Sequence, residues 1–113
     1  MGGIKPLVQL LESPVEAVQA QAAFALMEIA RSNTENQAAV VNSGGIQLLA
    51  GLMKASKDPR VLAEVAGALW ALSESADNKV AIAQASSIPP LVQLLGNGDD
   101  RARAHAALAL GSL

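Results

Sequence analysis

The chain contains 113 residues, of which 51% are apolar and 2% aromatic, and it carries a formal net charge of −2. This length suits one domain with its own hydrophobic core, and the apolar fraction excludes a disordered chain. The absence of cysteine excludes disulfides and cysteine-based zinc sites, and a mildly acidic chain without a Lys/Arg cluster is a poor partner for nucleic acid. No apolar stretch approaches the ~18 residues of a membrane-spanning helix, so we expect no membrane insertion. By default we expect an intracellular protein, cytoplasmic or nuclear.

The first predicted helix lies in "GGIKPLVQLLES", residues 2–13, with Leu7, Leu10 and Leu11 on its apolar face. Pro6 falls in the first turn, where the N–H that proline lacks would have no helical partner. A longer helix follows Pro14. Its apolar positions, which have helical rather than strand spacing, are Val18, Ala22, Ala25, Leu26 and Ile29.

A short helix is predicted next, in "NTENQAAVVNSGG" at residues 33–45. Asn33 or Thr34 is its expected N-cap, and the pair Gly44-Gly45 ends it. The same three elements then recur. A medium helix lies in "GGIQLLAGLMKAS" (44–56), and a long one enters at Pro59.

A second short helix is predicted in "ADNKVAIAQASS" (76–87), opening at Asp77. It is followed by a medium helix in "SSIPPLVQLLGNG" (86–98) and by a long helix entered at Asp99-Asp100. Pro90 lies in the first turn of its helix, as Pro6 does. The sequence therefore predicts an all-α fold of about eight helices and no strand.

These elements form an internal repeat with a period of about 42 residues. Ile4, Ile46 and Ile88 recur at this interval, and two series of leucines keep the same interval. These are Leu7, Leu49 and Leu91, and Leu10, Leu52 and Leu94. A unit of one short, one medium and one long helix at this period is typical of the HEAT and armadillo class of α-solenoids.

Two longer stretches resemble the armadillo repeat specifically. "NTENQAAVVNSGGIQLLAGLM" and "DNKVAIAQASSIPPLVQLL" are similar to the family pattern N-x-(Q/K)-x-x-(V/I)-x-x-x-G-(G/A)-I-x-x-L-(V/L)-x-L-(L/M), and "SPVEAVQAQAAFAL" resembles its long third helix. The resemblance implies a right-handed α-solenoid, an armadillo-like superhelix. A HEAT array is the alternative, although HEAT units have two helices and lack the Gly-Ile entry.

The repeat register gives a single array over 1–113, with a partial repeat at 1–32, a complete repeat at 33–75 and a nearly complete repeat at 76–113. Because each repeat buries its apolar face only against its neighbours, we expect apolar surface at both ends of the array. The residues expected to be exposed there are Ile4, Leu7 and Leu11 at one end and Leu108, Leu110 and Leu113 at the other.

The armadillo resemblance also implies where a partner would bind. In many members an Asn on each third helix binds the backbone of an extended peptide in a concave groove, with an aromatic residue one turn earlier. The Asn positions correspond here to Glu28, Ala71 and Ser112, and the aromatic positions to Phe24, Gly67 and Leu108. This departure argues against basic-peptide binding of the nuclear-import type. The groove residues that we expect to contact a partner are Gln21, Phe24, Glu28, Glu64, Gly67, Ala71, Glu74, Arg101, His105 and Leu108.

We expect Glu28, Glu64 and Glu74 to favour Lys or Arg in the partner, His105 to be a surface histidine, and Trp70 to pack between repeats. No catalytic, cofactor-binding or metal-binding residue is predicted, since the one histidine has no converging ligands. The predicted function is a non-catalytic protein–protein interaction scaffold that binds a protein or peptide segment. The alternatives are a self-associating element that stacks or exchanges helices through its ends, and the targeting region of a larger protein such as a ubiquitin ligase.

Overall fold

A computed structural model describes residues 3–113, and over this range the chain forms eight α-helices and no strand. The helices are α1 (Ile4–Leu10), α2 (Glu16–Ala30), α3 (Thr34–Asn42), α4 (Gly45–Ala55), α5 (Pro59–Leu72), α6 (Ala76–Gln84), α7 (Ile88–Asn97) and α8 (Asp100–Ser112). The prediction of an all-α solenoid of about eight helices is confirmed. The limits of the repeats stay a prediction.

Side-chain caps fix where four of the helices begin. Asn33 accepts a hydrogen bond from the backbone N–H of Asn36 at 2.9 Å, as expected for the N-cap of α3. Asp99 caps α8 in the same way. The N-cap of α6 is Ser75 rather than the predicted Asp77, which lies within the first turn, where its charge still suits the helix dipole. Asp58 caps α5 just before its N-terminal proline.

The long helices α2, α5 and α8 lie side by side, with α5 packed between the other two. The medium helices α4 and α7 pack on α5 and α8 respectively, and α1 packs on α2. The short helices α3 and α6 connect one unit to the next. Leu26, Leu49, Leu69, Leu72 and Leu91 are at most 1% exposed and form the centre of one continuous core.

The junction between a short and a medium helix needs a left-handed residue. Gly44 has φ of 84°, and Ser86, its counterpart in the next unit, has φ of 64°. Glycine adopts this conformation without steric cost, whereas serine is strained there. Ser86 therefore adopts the same left-handed backbone conformation as Gly44, although it is not a glycine.

An asparagine ties each short helix to the preceding long helix. The side-chain Nδ2 of Asn36 donates to the carbonyl of Ile29 at 2.8 Å, and that of Asn78 donates to Leu72 at 2.9 Å. Both bonds satisfy a carbonyl in a last helical turn, which has no partner within the helix. The same hydrogen bond thus recurs at the same place in both units and holds each short helix against the end of the long helix before it.

The ends of the array are less exposed than the sequence predicted. Ile4 and Leu11 are 7% and 2% exposed, because α1 packs against α2 and α3. Leu7, Leu110 and Leu113 are half-buried, and among the six residues named only Leu108, at 45%, is exposed. The expectation was therefore wrong for Ile4 and Leu11, whose side chains belong to the core.

Candidate functional site

The side-by-side helices α2, α5 and α8 create one continuous surface, which we call the third-helix face. Two shallow cavities lie on it. One, of about 280 Å³, is bordered by Ala17, Ala20, Gln21, Phe24, Arg60 and Glu64. The other, of about 100 Å³, is bordered by Arg31, Ser32, Trp70, Ala71 and Glu74. Both lie between α2 and α5 and are open to solvent.

One cluster on this face joins all three long helices. Arg101 of α8 forms a two-pronged ion pair with Glu64 of α5, with Nη2–Oε1 at 2.9 Å and Nε–Oε2 at 3.2 Å. The same guanidinium lies 5.8 Å from the ring centre of Phe24 in α2, a cation–π distance. Phe24 is nevertheless 38% exposed, so its ring remains accessible to a partner.

A second cluster also joins the three long helices, about two turns after Phe24 along α2. The guanidinium of Arg31 lies 5.3 Å from the ring centre of Trp70, and the imidazole of His105 stacks on the same tryptophan at 6.3 Å. Arg31 also pairs with Glu28 at 3.6 Å, too long for a hydrogen bond. Trp70 is half-buried between units, as the sequence predicted, and it also lines the smaller cavity.

His105 is only 9% exposed, so the expectation of a surface histidine was wrong. Its Nδ1 lies 2.7 Å from the carbonyl of Ala63. Because a carbonyl can only accept, Nδ1 carries the proton and donates. The close approach depends on Gly67, where a Cβ would lie 2.5 Å from Met27 Sδ and 2.7 Å from His105 Nδ1. Helix packing, not solvent, surrounds this imidazole.

Glu74, which follows the end of α5, forms hydrogen bonds to the chain segment that follows α2. Its Oε1 accepts a hydrogen bond from the backbone N–H of Ser32 at 3.2 Å and another from the side chain of Gln37. Ser32 has a positive φ of 53° at the end of α2. The carboxylate therefore stabilises a strained junction, although Glu74 as a whole stays exposed.

The Asp58 carboxylate at the start of α5 has a lowered pKa. Desolvation alone would raise the pKa of Asp58, but hydrogen bonds from the backbone N–H groups of Val61 and Arg60 outweigh it. Together with the Arg60 guanidinium, 3.6 Å away, they lower that pKa below its usual value. The carboxylate is thus a charged N-cap.

The structure brings most of the predicted groove residues onto the third-helix face but buries some of them. Gln21, Phe24, Glu28, Glu74, Arg101 and Leu108 are exposed, and Glu64 is half-buried. Gly67, Ala71 and His105 are buried between helices, where they offer a partner little surface. Arg31 and Arg60, which the helix-face pattern in the sequence also places on the predicted concave face, are exposed as well.

Among residues 3–113, no group of three or more His, Asp or Glu side chains is arranged to hold a metal ion. Within the same range, no helix combines the length and hydrophobicity needed to cross a membrane.

The sequence matches the family described as HEAT repeats over residues 4–111. It is 36% identical to Vacuolar protein 8 of Candida albicans over 95% of this chain and 18% of that protein. It is 31% identical to the Armadillo repeat-containing protein gudu of Drosophila melanogaster, over 99% of this chain and 17% of that protein. The chain thus spans less than a fifth of the length of either relative.

Among solved structures, a designed armadillo repeat protein in complex with peptide (KR)4 superimposes with a TM-score of 0.89. The two share 25% identity, and the match covers 98% of this chain and 46% of the designed one. Fold and sequence thus define a helical repeat solenoid. The chain belongs to the HEAT-repeat family, and within it the repeat is of the armadillo type.

Proposed function

We propose that this chain is a non-catalytic protein-interaction module that binds a segment of a partner protein along the third-helix face. The observation that carries the proposal is that α2, α5 and α8 present an exposed aromatic ring, exposed charges and two open cavities on one surface. The similar designed protein was solved with a peptide bound, which supports a peptide-like partner for this chain.

The proposed contact centres on Phe24. Its ring is exposed and borders the larger cavity, and the Arg101 guanidinium lies 5.8 Å from the ring centre. A few large side chains that become buried at the centre of an interface usually contribute most of its binding energy, and we propose this role for the Phe24 ring. An apolar side chain of the partner would occupy the cavity beside Phe24, with the aliphatic part of Arg60 as its second wall.

The charges of this face limit the partner's composition. Glu64 is engaged by Arg101, and Glu74 is engaged by Ser32 and Gln37. Within residues 3–113, Glu28 has only the long contact to Arg31, and it is the carboxylate on this face most available to a Lys or Arg of the partner. We therefore propose a segment with an apolar anchor and one basic residue, rather than the alternating (KR)4 type.

The test is selection of binders from a random peptide library, followed by affinity measurement on matched variants. Phe24→Ala should weaken the selected peptides by roughly 1–3 kcal/mol, and Glu28→Gln should weaken only those that contain a basic residue. Val80→Ala is the control, because Val80 is equally apolar and 55% exposed but lies on α6, away from this face. Equal loss in the Phe24 and Val80 variants, or no selected peptide at all, would argue against the proposal.

A further inference from the structure

Two further cavities lie between the medium helices α4 and α7, and they share no lining residue with the cavities of the third-helix face. The larger, of about 670 Å³, extends to the loop between α7 and α8, and the smaller, of about 510 Å³, extends to the junction at Ser86. The residues that line both are Met53, Lys54, Pro90 and Gln93. The two cavities therefore form one open groove, which we call the α4–α7 groove.

The α4–α7 groove lies inside the array. Its walls come from two successive units, and both units lie within residues 3–113. The positions on α4 that correspond to Gln93 and Asn97 are Gly51 and Ala55, and these stay exposed although a unit follows them. A unit placed after α8 would therefore leave the groove open, so the groove does not depend on where the sequence ends.

The floor of the groove is apolar and its α4 side is basic. Met53 and Leu94, each 4% exposed, lie at the floor. Lys54 and Lys57 line the α4 side, and within residues 3–113 neither forms an ion pair. Lys54 Nζ donates one hydrogen bond to the carbonyl of Ala85 at 3.1 Å. That bond holds the ammonium at the groove and leaves two of its three protons for a ligand.

One acidic residue limits where a negative ligand can lie. Among the described residues that line the groove, only Asp99 is acidic, and its carboxylate already accepts the backbone N–H of Ala102 at 2.9 Å. Asp99 lines the larger cavity, near Lys57, whereas the lining of the smaller cavity includes Lys54 and no acidic residue. The groove is thus most favourable to a carboxylate beside Lys54.

The α7 side of the groove carries two amide side chains. Gln93 and Asn97 are both exposed and lie about 6 Å apart along the helix axis. Alternate residues of an extended chain are about 6.6 Å apart, and an amide side chain can both donate to and accept from a peptide backbone. The spacing of the pair therefore suits an extended segment, and the groove, about 15 Å long from Pro89 to Asp99, has room for about five extended residues.

The packing of the repeat does not require these side chains. At the junction between α1 and α4, the positions that correspond to Lys54, Gln93 and Asn97 are occupied by Glu12, Gly51 and Ala55. That junction has an acidic residue in place of the lysine and lacks both amides, yet its helices occupy equivalent places in the fold. The basic and amide sides are therefore a property of the α4–α7 groove alone.

We infer that the α4–α7 groove binds a short extended segment of a partner protein that carries acidic residues and one apolar residue. The apolar side chain lies on the floor beside Met53 and Leu94. A carboxylate pairs with Lys54, and the amides of Gln93 and Asn97 bind the backbone of the segment. This surface is separate from the third-helix face, so the two can be tested independently.

Selection from a random heptapeptide library tests the inference, with the wild-type chain as bait and the Gln93→Glu variant for counter-selection. The substitution places a carboxylate of nearly the same shape on the amide side, and Gln93 is exposed, so circular dichroism should show an intact helical fold. The peptides recovered should be rich in Asp and Glu, contain an apolar residue and bind Gln93→Glu about tenfold more weakly. Gln9→Glu, at the equivalent exposed position of α1, is the matched control and should bind them as the wild type does.

Two further variants assign these peptides to the groove. Lys54→Gln should weaken their binding about two- to fivefold, the usual contribution of an exposed ion pair, whereas Lys5→Gln removes the same charge from α1 and should have no effect. Phe24→Ala should also have no effect, which separates these peptides from binders of the third-helix face. The inference would be overturned if no peptide were recovered, if the recovered peptides were not acidic, or if Gln9→Glu, Lys5→Gln or Phe24→Ala weakened them as much as the groove variants.

Discussion

Replacing Gly67 with alanine probes the close packing that forms the third-helix face. Alanine in place of glycine inside a helix gains about 1 kcal/mol in propensity. At this position, however, the new Cβ would lie 2.5 Å from Met27 Sδ and 2.7 Å from His105 Nδ1, side chains of the two neighbouring long helices. Met27 can move aside, but His105 is held by its hydrogen bond to Ala63.

Overpacking of this kind costs about 1–3 kcal/mol, and loss of the histidine bond adds about 1 kcal/mol. The net expectation for Gly67→Ala is therefore a loss of about 1–3 kcal/mol in the free energy of unfolding, measured by urea denaturation. Gly51→Ala is the control, since Gly51 lies within α4 and a Cβ added there would have no neighbouring atom within 4 Å. It should gain roughly 0.5–1 kcal/mol. Equal stabilisation by both substitutions would refute the packing described here.

Three further predictions concern stability. Ser87 and Ser73 are both fully buried, but the Ser87 hydroxyl has no partner among the described residues, whereas that of Ser73 donates to a helix carbonyl at 2.7 Å. In thermal melts Ser87→Ala should therefore stabilise, and Ser73→Ala destabilise, by about 1 kcal/mol each, and the opposite order would contradict this. In urea denaturation Asn78→Ala should cost about 2 kcal/mol, because it leaves a buried carbonyl of α5 unpaired. Asn36→Ala should cost less, since the Asn36 side chain is half-buried. Equal costs for the two variants would contradict this expectation. The pKa of Asp58 is lowered below 3.8 in the folded protein, so the charged carboxylate stabilises the fold above that pH, and this contribution is lost as the pH falls through the folded pKa. Asp58→Asn should therefore remove this part of the pH dependence of the free energy of unfolding. An unchanged pH profile would show that the N-cap is not charged.

The repeat made much of the fold predictable from sequence. Ile4, Ile46 and Ile88 mark the entries of three equivalent helices, and the spacing of apolar residues between them distinguishes helix from strand. Local chemistry was predictable where one side chain decides it, as with the N-cap Asn33. It failed where two side chains compete, since Ser75 rather than Asp77 caps α6.

The site was less predictable because it depends on contacts between units. The burial of His105 follows from the lack of a Cβ at Gly67 and from the carbonyl of Ala63, 42 positions earlier in the chain. A helix-face pattern cannot show that an exposed-looking position faces a neighbouring helix. The same limit applies at the ends, where Ile4 is covered by helices that follow it.

The central claim, that a partner segment lies along α2, α5 and α8, is tested most directly by amide chemical-shift mapping of a library-selected peptide bound to the chain. The largest shifts should fall around Phe24, Glu28 and Glu64 and the neighbouring turns of α8. The amides of α1, α4 and α7 should change little. Shifts concentrated on α4 and α7 instead, with the third-helix face unaffected, would contradict the account.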